Sequence, residues 1–174
     1  MSELIVAEPP RTPQAVKENM IQQYLTFVLG REIFALNILN VKEIIEYGQL
    51  TEVPKMPVFI RGVINLRGAV VPAIDMAARF DKPSAQITRK TCIVIIEVAH
   101  TGGTQVVGVM VDAVNEVVDI ESGNIEPAPS FGANIRADFI EGMGKIDGKF
   151  VIILNVNNVL SMDEVAALAG SIVQ

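Results

Sequence analysis

Hydrophobic and polar residues alternate along most of the chain with the two-residue period that is typical of β-strands. The alternation runs from Tyr24 to Ile38 across a Gly30-Arg31 turn, which predicts a β-hairpin. A short helical turn and a strand over residues 41–47 are predicted to follow. Residues 53–57 contain two prolines, which cannot donate backbone hydrogen bonds in a central strand, so they are predicted to form a loop.

The remaining strands follow from the same pattern. They are predicted over residues 63–66, 70–74, 92–98, 106–111, 114–120, 139–146 and 150–156. The unbroken apolar run at 92–98 is typical of a strand that is buried on both faces. Asp147-Gly148 is the strongest hairpin-turn signal in the chain. Residues 76–80 favour one helical turn, and the polar residues 81–90 favour a connector.

Two stretches of the sequence match each other, which indicates an internal duplication. Residues 59–71 align without gaps with residues 139–151, and residues 41–46 align with residues 114–119. The matches occur in the same order in both halves. We therefore predict two similar antiparallel subdomains of about five short strands each, subdomain one over about 23–80 and subdomain two over about 91–156. Domains near 60 residues are marginal alone, so the two are expected to share a core. Five short strands leave each interior filled by its own side chains.

The two ends of the chain lack the strand pattern of the middle. Residues 1–22 contain three prolines and scattered charges, which predicts a flexible N-terminal arm. Ser161 and Glu164 have the spacing of a helix capping box, so a C-terminal helix is predicted over about 157–169. Its apolar face is expected to cover one of the subdomains.

The composition of the chain excludes several classes of protein. The chain has 174 residues, of which half are hydrophobic, so it is expected to fold. Its formal net charge is −6, which argues against binding to the phosphate backbone of nucleic acids through bulk charge. It has one Cys and one His, which excludes an internal disulfide and zinc sites of the Cys/His type. A reducing, cytosolic compartment fits this cysteine usage.

The motifs of catalysis and cofactor binding are missing. Gly148-Lys149 lacks the first glycine of a phosphate-binding loop, because Met143 stands in its place. His100 falls in a predicted exposed turn and Cys92 in an apolar strand, so neither is a good candidate for acid–base or nucleophilic chemistry. The sequence therefore predicts no enzyme, no cofactor and no metal site.

One long segment resembles the signature of the CheW-like family, the chemotaxis coupling proteins. The segment runs from Pro57 to Gly68 and contains Gly62-Val63-Ile64-Asn65-Leu66-Arg67-Gly68, followed by Val71-Pro72 and Asp75. The resemblance spans about residues 22–168, so the chain is divided into the arm and a CheW-like domain over 23–168.

The resemblance implies a fold and a function. The family fold is all-β, with two five-stranded SH3-like β-barrels packed together. Its members are cytoplasmic adaptors, not enzymes, at the inner face of the membrane in receptor arrays. They join the tips of transmembrane chemoreceptors to a sensor histidine kinase, whose regulatory domain has the same fold. No nucleic acid or membrane insertion is implied, and weak ring assembly is compatible with the family.

The resemblance also implies candidate partner-binding residues. Arg67 comes first, because the family places this turn arginine in its receptor-binding region. Val41 and Glu43 match positions near that surface, although an ordinary alternating strand explains them equally well. Gly62 matches a position whose conformation requires glycine, so it affects shape and not contact. Ile93 lies on a strand near the family's partner surfaces, and core packing explains it at least as well.

Other functions stay open at this point. A CheW-like adaptor of a non-chemotaxis kinase pathway, for surface motility or development, has the same sequence features. A small β-barrel enzyme predicts a polar pocket with a perturbed titratable group. A purely structural oligomer predicts self-association without partners.

Overall fold

Two β-sheets make up the part of the chain that this computed structural model describes, which is residues 20–48, 50–83, 86–100, 102–127 and 137–161. The strands are β1 Ile21–Leu29, β2 Glu32–Asn37, β3 Val41–Glu46, β4 Ile60–Leu66, β5 Ala69–Asp75, β6 Cys92–His100, β7 Gly103–Val111, β8 Ala113–Glu121, β9 Ile125–Glu126, β10 Ile140–Ile146 and β11 Lys149–Leu154. Two single-turn helices, α1 Met76–Arg79 and α2 Val156–Val159, follow β5 and β11.

The predicted elements are largely present, with small differences at their ends. β1 begins at Ile21, three residues before the predicted start. β11 ends at Leu154, because the side chain of Asn155 accepts a hydrogen bond from the Asn158 amide and starts α2. The arm was predicted over residues 1–22, but residues 21 and 22 belong to β1, and residues 1–19 lie outside the described residues. The C-terminal helix was predicted over about 157–169; the described helix α2 ends at Val159, and residues 162–169 lie outside the described residues.

The strands are not grouped as the sequence predicts. The five-stranded sheet has the order β3-β6-β7-β5-β4, and all its strands come from the continuous stretch 41–111. We call this stretch the contiguous subdomain. The six-stranded sheet has the order β8-β1-β2-β11-β10-β9 and takes strands from both ends of the described chain, so we call it the split subdomain.

The predicted division into residues 23–80 and 91–156 is therefore corrected. Each half of the chain gives its first hairpin to the sheet of the other half: β1–β2 pairs with β8 and β11, and β6–β7 pairs with β3 and β5. The two-residue hydrophobic period of the sequence predicts where the strands are but not which strands pair. The subdomains are also not purely antiparallel, because β5 pairs with β7 and β2 with β11 in parallel. In the described residues no ladder joins the two edge strands of either sheet.

The all-β fold with two packed subdomains is confirmed, and its two sheets repeat each other strand by strand. β3, β6, β7, β5 and β4 correspond to β8, β1, β2, β11 and β10. The ladders of β4 and β10 shift register at the same place, beside Gly62 and Gly142. The Asp75 amide donates to the Phe59 carbonyl at 2.7 Å, and the Asn155 amide to the Phe139 carbonyl at 2.8 Å. These equivalences support the internal duplication.

Three hydrophobic clusters hold the described part of the chain together. The largest contains side chains from both sheets, among them Phe27 and Phe34 of β1–β2 and Val94 and Val109 of β6–β7. Each sheet also encloses a smaller cluster of its own. Burial of this apolar surface is the main source of stability, and the large shared cluster ties the subdomains into one unit. The subdomains thus share a core and fill their own interiors, as expected.

Arg79 lies between the two subdomains and is almost completely buried, with 8% of its surface exposed. Its guanidinium carbon is 5.0 Å from the ring centre of Phe59 and 4.8 Å from that of Phe139, the equivalent residue of the other repeat. Its Nε donates to the Val159 carbonyl at 2.7 Å. A cation between two aromatic faces is stabilised by the ring quadrupoles, so Arg79 links the repeats by directional contacts.

Candidate functional site

Arg67 projects from a tight turn between β4 and β5. Arg67 and Gly68 both have positive φ, 52° and 88°, as in the primed turns that join twisted antiparallel strands. The Asn65 side chain accepts a hydrogen bond from the Gly68 amide at 2.9 Å and so closes the turn. The Arg67 side chain is 71% exposed. A rigid hairpin therefore presents this guanidinium to solvent.

Arg67 forms an ion pair with Glu43. The guanidinium meets both carboxylate oxygens, with Nη1–Oε1 at 3.4 Å and the second contact between Nη2 and Oε2. Glu43 lies on β3 and Arg67 follows β4, and these strands are the two edges of the five-stranded sheet. The pair therefore bridges the edges of the contiguous subdomain, in the two-pronged arrangement that an arginine allows.

Val41 is near this pair in the sequence, on the same strand as Glu43. Val41 is half-buried and packs against the shared core, two residues before Glu43 on β3. The register of β3 against β6 shifts between Val41 and Glu43. We call Arg67, Glu43 and the exposed residues of β3 and of the β4–β5 hairpin the Arg67 face.

Sequence reasoning missed two exposed apolar residues of the Arg67 face. Ile44 is 43% exposed on β3, and Val70 is 68% exposed on β5, next to the turn. The signal for Ile44 was present, because it occupies the exposed phase of the alternation between the charged residues Lys42 and Glu46. Because neighbouring residues of a strand point to opposite faces, Ile44 projects from the other side of β3 than Glu43 and adds exposed apolar surface to the strand that carries the ion pair.

Gly62 lies on β4 and acts on shape, as the sequence analysis suggested. Its φ is +157°, and a Cβ atom there would lie 2.5 Å from the Thr51 carbonyl oxygen. Thr51 exchanges two backbone hydrogen bonds with Val63, at 2.9 and 2.8 Å. Glycine therefore lets the loop before β4 bind directly to the strand.

Ile93 does not belong to any surface, so its interpretation as a partner-binding residue is corrected. It is fully buried on β6, opposite Ile45 of β3, within the hydrophobic cluster of the contiguous subdomain. A strand that is buried on both faces gives no sign of which residues approach the surface. Ile93 packs inside the contiguous subdomain next to β3 and is not exposed to solvent.

The described residues offer little for catalysis or metal binding. No group of three or more His, Cys, Asp or Glu side chains among them is placed to hold a metal ion. The raised pKa values belong to the split subdomain: burial raises the pKa of the Glu141 carboxyl, and burial together with the Glu141 charge raises the pKa of the Tyr24 hydroxyl. Across the part of the chain that is described, none of the helices has the length and apolar character needed to cross a membrane.

Comparisons with known proteins agree on one family. A sequence model described as the CheW-like domain matches residues 23–164. The chain is 34% identical over 149 residues to a chemotaxis protein CheW of Klebsiella aerogenes, covering 86% of this chain and 87% of that one. It is 31% identical over 143 residues to a chemotaxis protein CheW of Rhizobium meliloti, covering 82% and 90%.

Two further similarities bear on fold and pathway. The crystal structure of the scaffolding protein TtCheW from Thermoanaerobacter tengcongensis matches with a TM-score of 0.73 and 36% identity, covering 80% of this chain and 92% of that one. The protein FrzA of Myxococcus xanthus is 29% identical over 150 residues, covering 85% of this chain and 91% of that one.

Proposed function

This chain belongs to the CheW-like family, and from that premise we propose that it is a non-catalytic adaptor that couples transmembrane chemoreceptors to a sensor histidine kinase. The adaptor passes the conformational state of the receptor to the kinase and so changes its autophosphorylation. The observation that carries this proposal is the Arg67 face, where an exposed guanidinium is held by Glu43 at a hydrogen-bonded turn, and the strands that carry the pair also bear exposed apolar side chains.

The Arg67 face fits a helical receptor tip better than a small ligand. The Arg67–Glu43 pair fixes the charge in place, so binding costs little side-chain ordering. Ile44 and Val70 supply exposed apolar surface on the same elements. Helical partners bind such surfaces by placing apolar side chains on them at helical spacing.

The proposed partners and place in the cell follow from this role. The kinase partner offers its regulatory domain, and the receptor offers its cytoplasmic tip. The adaptor works in the cytoplasm, at the inner face of the membrane, where many weak contacts in an array gain strength from high effective concentration. Neither nucleic acid nor membrane insertion has a part in it.

A second candidate function is an adaptor of a non-chemotaxis kinase pathway, for example one that controls surface motility or development. The similarity to the protein FrzA of Myxococcus xanthus, which is not named as a chemotaxis protein, favours keeping this candidate. The genes beside this one distinguish the two pathways, because a receptor and kinase of the same pathway are commonly encoded together.

Reconstitution tests the adaptor function. The purified chain is mixed with a receptor cytoplasmic fragment and the cognate kinase, and autophosphorylation and co-sedimentation are followed. We expect Arg67→Ala to weaken binding of the receptor fragment by about tenfold, which corresponds to about 1.4 kcal/mol, and to lower receptor-dependent kinase activity as a result. Its melting temperature should change little, because exposed ion pairs contribute about 0–1 kcal/mol.

Arg31→Ala is the matched control. Arg31 is an exposed arginine in the β1–β2 turn of the other sheet, so the variant loses the same charge away from the Arg67 face. We expect it to retain receptor-dependent activity. A wild-type chain that co-sediments with neither receptor nor kinase contradicts the adaptor function, and equal losses in the two variants contradict the role of the Arg67 face.

A further inference from the structure

The split subdomain has a groove where the contiguous subdomain has the Arg67–Glu43 pair. The groove has a volume of about 220 Å³, and its lining includes Ile33, Glu116, Val118, Ile146, Asp147 and Lys149. We call it the Asp147 groove. It lies at the end of the six-stranded sheet where β8 faces the β10–β11 turn.

Backbone geometry shows that the two places are equivalent. Asp147 is the first residue of the β10–β11 turn with φ 50°, as Arg67 is the first residue of the β4–β5 turn with φ 52°. Glu116 lies at the irregularity in β8, where pairing with β1 shifts register, and Glu43 lies at the corresponding irregularity in β3. The duplication therefore places Asp147 and Glu116 where the other repeat has Arg67 and Glu43.

The walls of the two places are also alike. Ile33, Val118 and Ile146 are half-buried beside the cluster of the split subdomain. Their counterparts Val106, Ile45 and Leu66 are half-buried beside the cluster of the contiguous subdomain. Apolar walls of similar size are thus kept in both, while the charge at the turn is reversed.

The reversed charge leaves two carboxylates facing one groove. Among the described residues, no Lys or Arg side-chain nitrogen lies within 4.0 Å of a carboxylate oxygen of Glu116 or Asp147. The nearly buried Thr26 hydroxyl donates to the Glu116 carbonyl at 2.8 Å and accepts from the Glu116 amide at 3.2 Å, so the Glu116 backbone is held in place. Lys149 also lines the groove, so two carboxylates stand against one ammonium group and the formal charge of the lining is −1. A net negative charge beside an apolar wall favours a further cation.

We propose that the Asp147 groove binds an arginine side chain from a partner protein, whose guanidinium takes the position that Arg67 fills in the other repeat. An arginine suits the groove because its planar head pairs with carboxylates through two parallel hydrogen bonds. Its aliphatic stem packs on apolar walls such as Val118 and Ile146. This site lies on the other subdomain from the Arg67 face, and the inference does not depend on receptor coupling.

The direct test uses a capped tripeptide, acetyl-Gly-Arg-Gly-amide, and its citrulline analogue, which lacks the positive charge. Both are titrated into the full chain at low ionic strength while backbone amide NMR signals are recorded. We expect the arginine peptide to shift the signals of Glu116, Ile146 and Asp147 saturably, with affinity at least tenfold higher than the citrulline peptide. Shifts that are equal for both peptides, or that occur only outside the groove, overturn the proposal.

Asp147→Arg is the decisive variant, because it supplies the missing guanidinium from within the chain. We expect it to abolish binding of the arginine peptide at the groove. We also expect it to melt at a higher temperature than Asp147→Ala, since only the arginine can pair with Glu116. That difference should vanish near 1 M salt, where the screening length is about 3 Å.

A charge-neutral double variant tests the proposal even if Asp147→Arg does not fold. Glu116→Gln with Asp147→Asn keeps the size of both side chains, and asparagine tolerates the positive φ of the turn. We expect this variant to lose binding of the arginine peptide by at least tenfold while its NMR spectrum stays that of a folded chain. Retained binding overturns the proposal. Because receptor and kinase are absent from these assays, their outcome is separate from that of the proposed function.

Discussion

Gly62 shows at residue scale how the absence of one side chain sets the path of a loop. The Thr51 carbonyl oxygen occupies the place where a Cβ of residue 62 would lie, at 2.5 Å, and that oxygen accepts a hydrogen bond from the Val63 amide at 2.8 Å. The loop is tied to β4 only because residue 62 is glycine. At the equivalent Gly142, a Cβ would lie 2.6 Å from a side-chain atom of Ile125 and 3.0 Å from the Glu126 carbonyl oxygen, so the backbone approach there is less close than at Gly62.

Gly62→Ala is expected to destabilise the chain by about 1–3 kcal/mol, because it adds both a backbone clash and strain at positive φ. Gly48→Ala is the control, since an added Cβ there meets no atom within 4 Å. Its effect should stay within about 0.5 kcal/mol. Urea unfolding measures both, and equal effects for the two variants contradict the close packing of Gly62 on Thr51.

Sequence alone predicts some of these residue roles and not others. The family resemblance implied the conformational need at Gly62, and the exposure of Arg67 followed from its position before the Gly68 turn. The Arg67–Glu43 pair joins residues 24 positions apart on opposite edges of a sheet, which no local pattern reveals. Ile93 was misread because its strand is apolar throughout, so the two-residue period that distinguishes faces is absent.

At the scale of elements, α1 and α2 show two versions of the same cap. Asp75 is fully buried, accepts a hydrogen bond from the Ala78 amide at 3.3 Å and pairs with Arg61 at 2.9 Å. Asn155 caps α2 in the same way, but Glu141 stands at the position equivalent to Arg61. The first repeat therefore has an ion pair where the second has only the cap.

Asp75→Ala is expected to cost about 3–5 kcal/mol, because it removes the cap and one partner of a buried charge pair. Asp75→Asn copies the second repeat and keeps an acceptor for the Ala78 amide, so it should cost clearly less. Asn155→Ala, which removes only a cap, should cost about 1 kcal/mol. The three free energies of unfolding are compared in urea. A cost for Asp75→Asn equal to that for Asp75→Ala contradicts the capping role.

The elements themselves were largely predictable and their pairing was not. Alternation and turn residues locate every long strand to within a few residues, because both are local properties of the chain. β9 was missed because its two residues are too few to carry a period. The exchange of hairpins β1–β2 and β6–β7 was missed because hydrogen-bonded pairing between distant strands leaves no trace in either strand alone.

At the scale of the whole molecule, Arg79 is the residue that joins the repeats most directly. It touches the equivalent residues Phe59 and Phe139 and binds the carbonyl of Val159, which is its own counterpart in the second repeat. Such contacts across the shared core should make the two subdomains unfold together.

Arg79→Met is expected to destabilise the chain by about 2–3 kcal/mol, since a charge-assisted hydrogen bond and a buried cation–aromatic contact are lost. Arg79→Lys keeps the positive charge and should recover part of this loss. Hydrogen exchange of amides in β7 and β11 reports the two subdomains separately, and we expect both to lose protection by similar factors. A loss confined to one subdomain contradicts the linking role.

The hairpin exchange has a consequence for how the protein is made. Ribosomal synthesis delivers β1–β2 first, yet Tyr24 pairs with Val118 and Phe34 with Ile152, which emerge about a hundred residues later. The contiguous subdomain has all its strands once residue 111 has emerged, while the first hairpin still waits. At typical elongation rates of about 5–20 residues per second, synthesis of the hundred or so residues between the first hairpin and its partner strands takes on the order of ten seconds. During this time the nascent chain exposes the apolar face of its first hairpin, so chaperone occupancy should be greatest on chains stalled between β7 and β11.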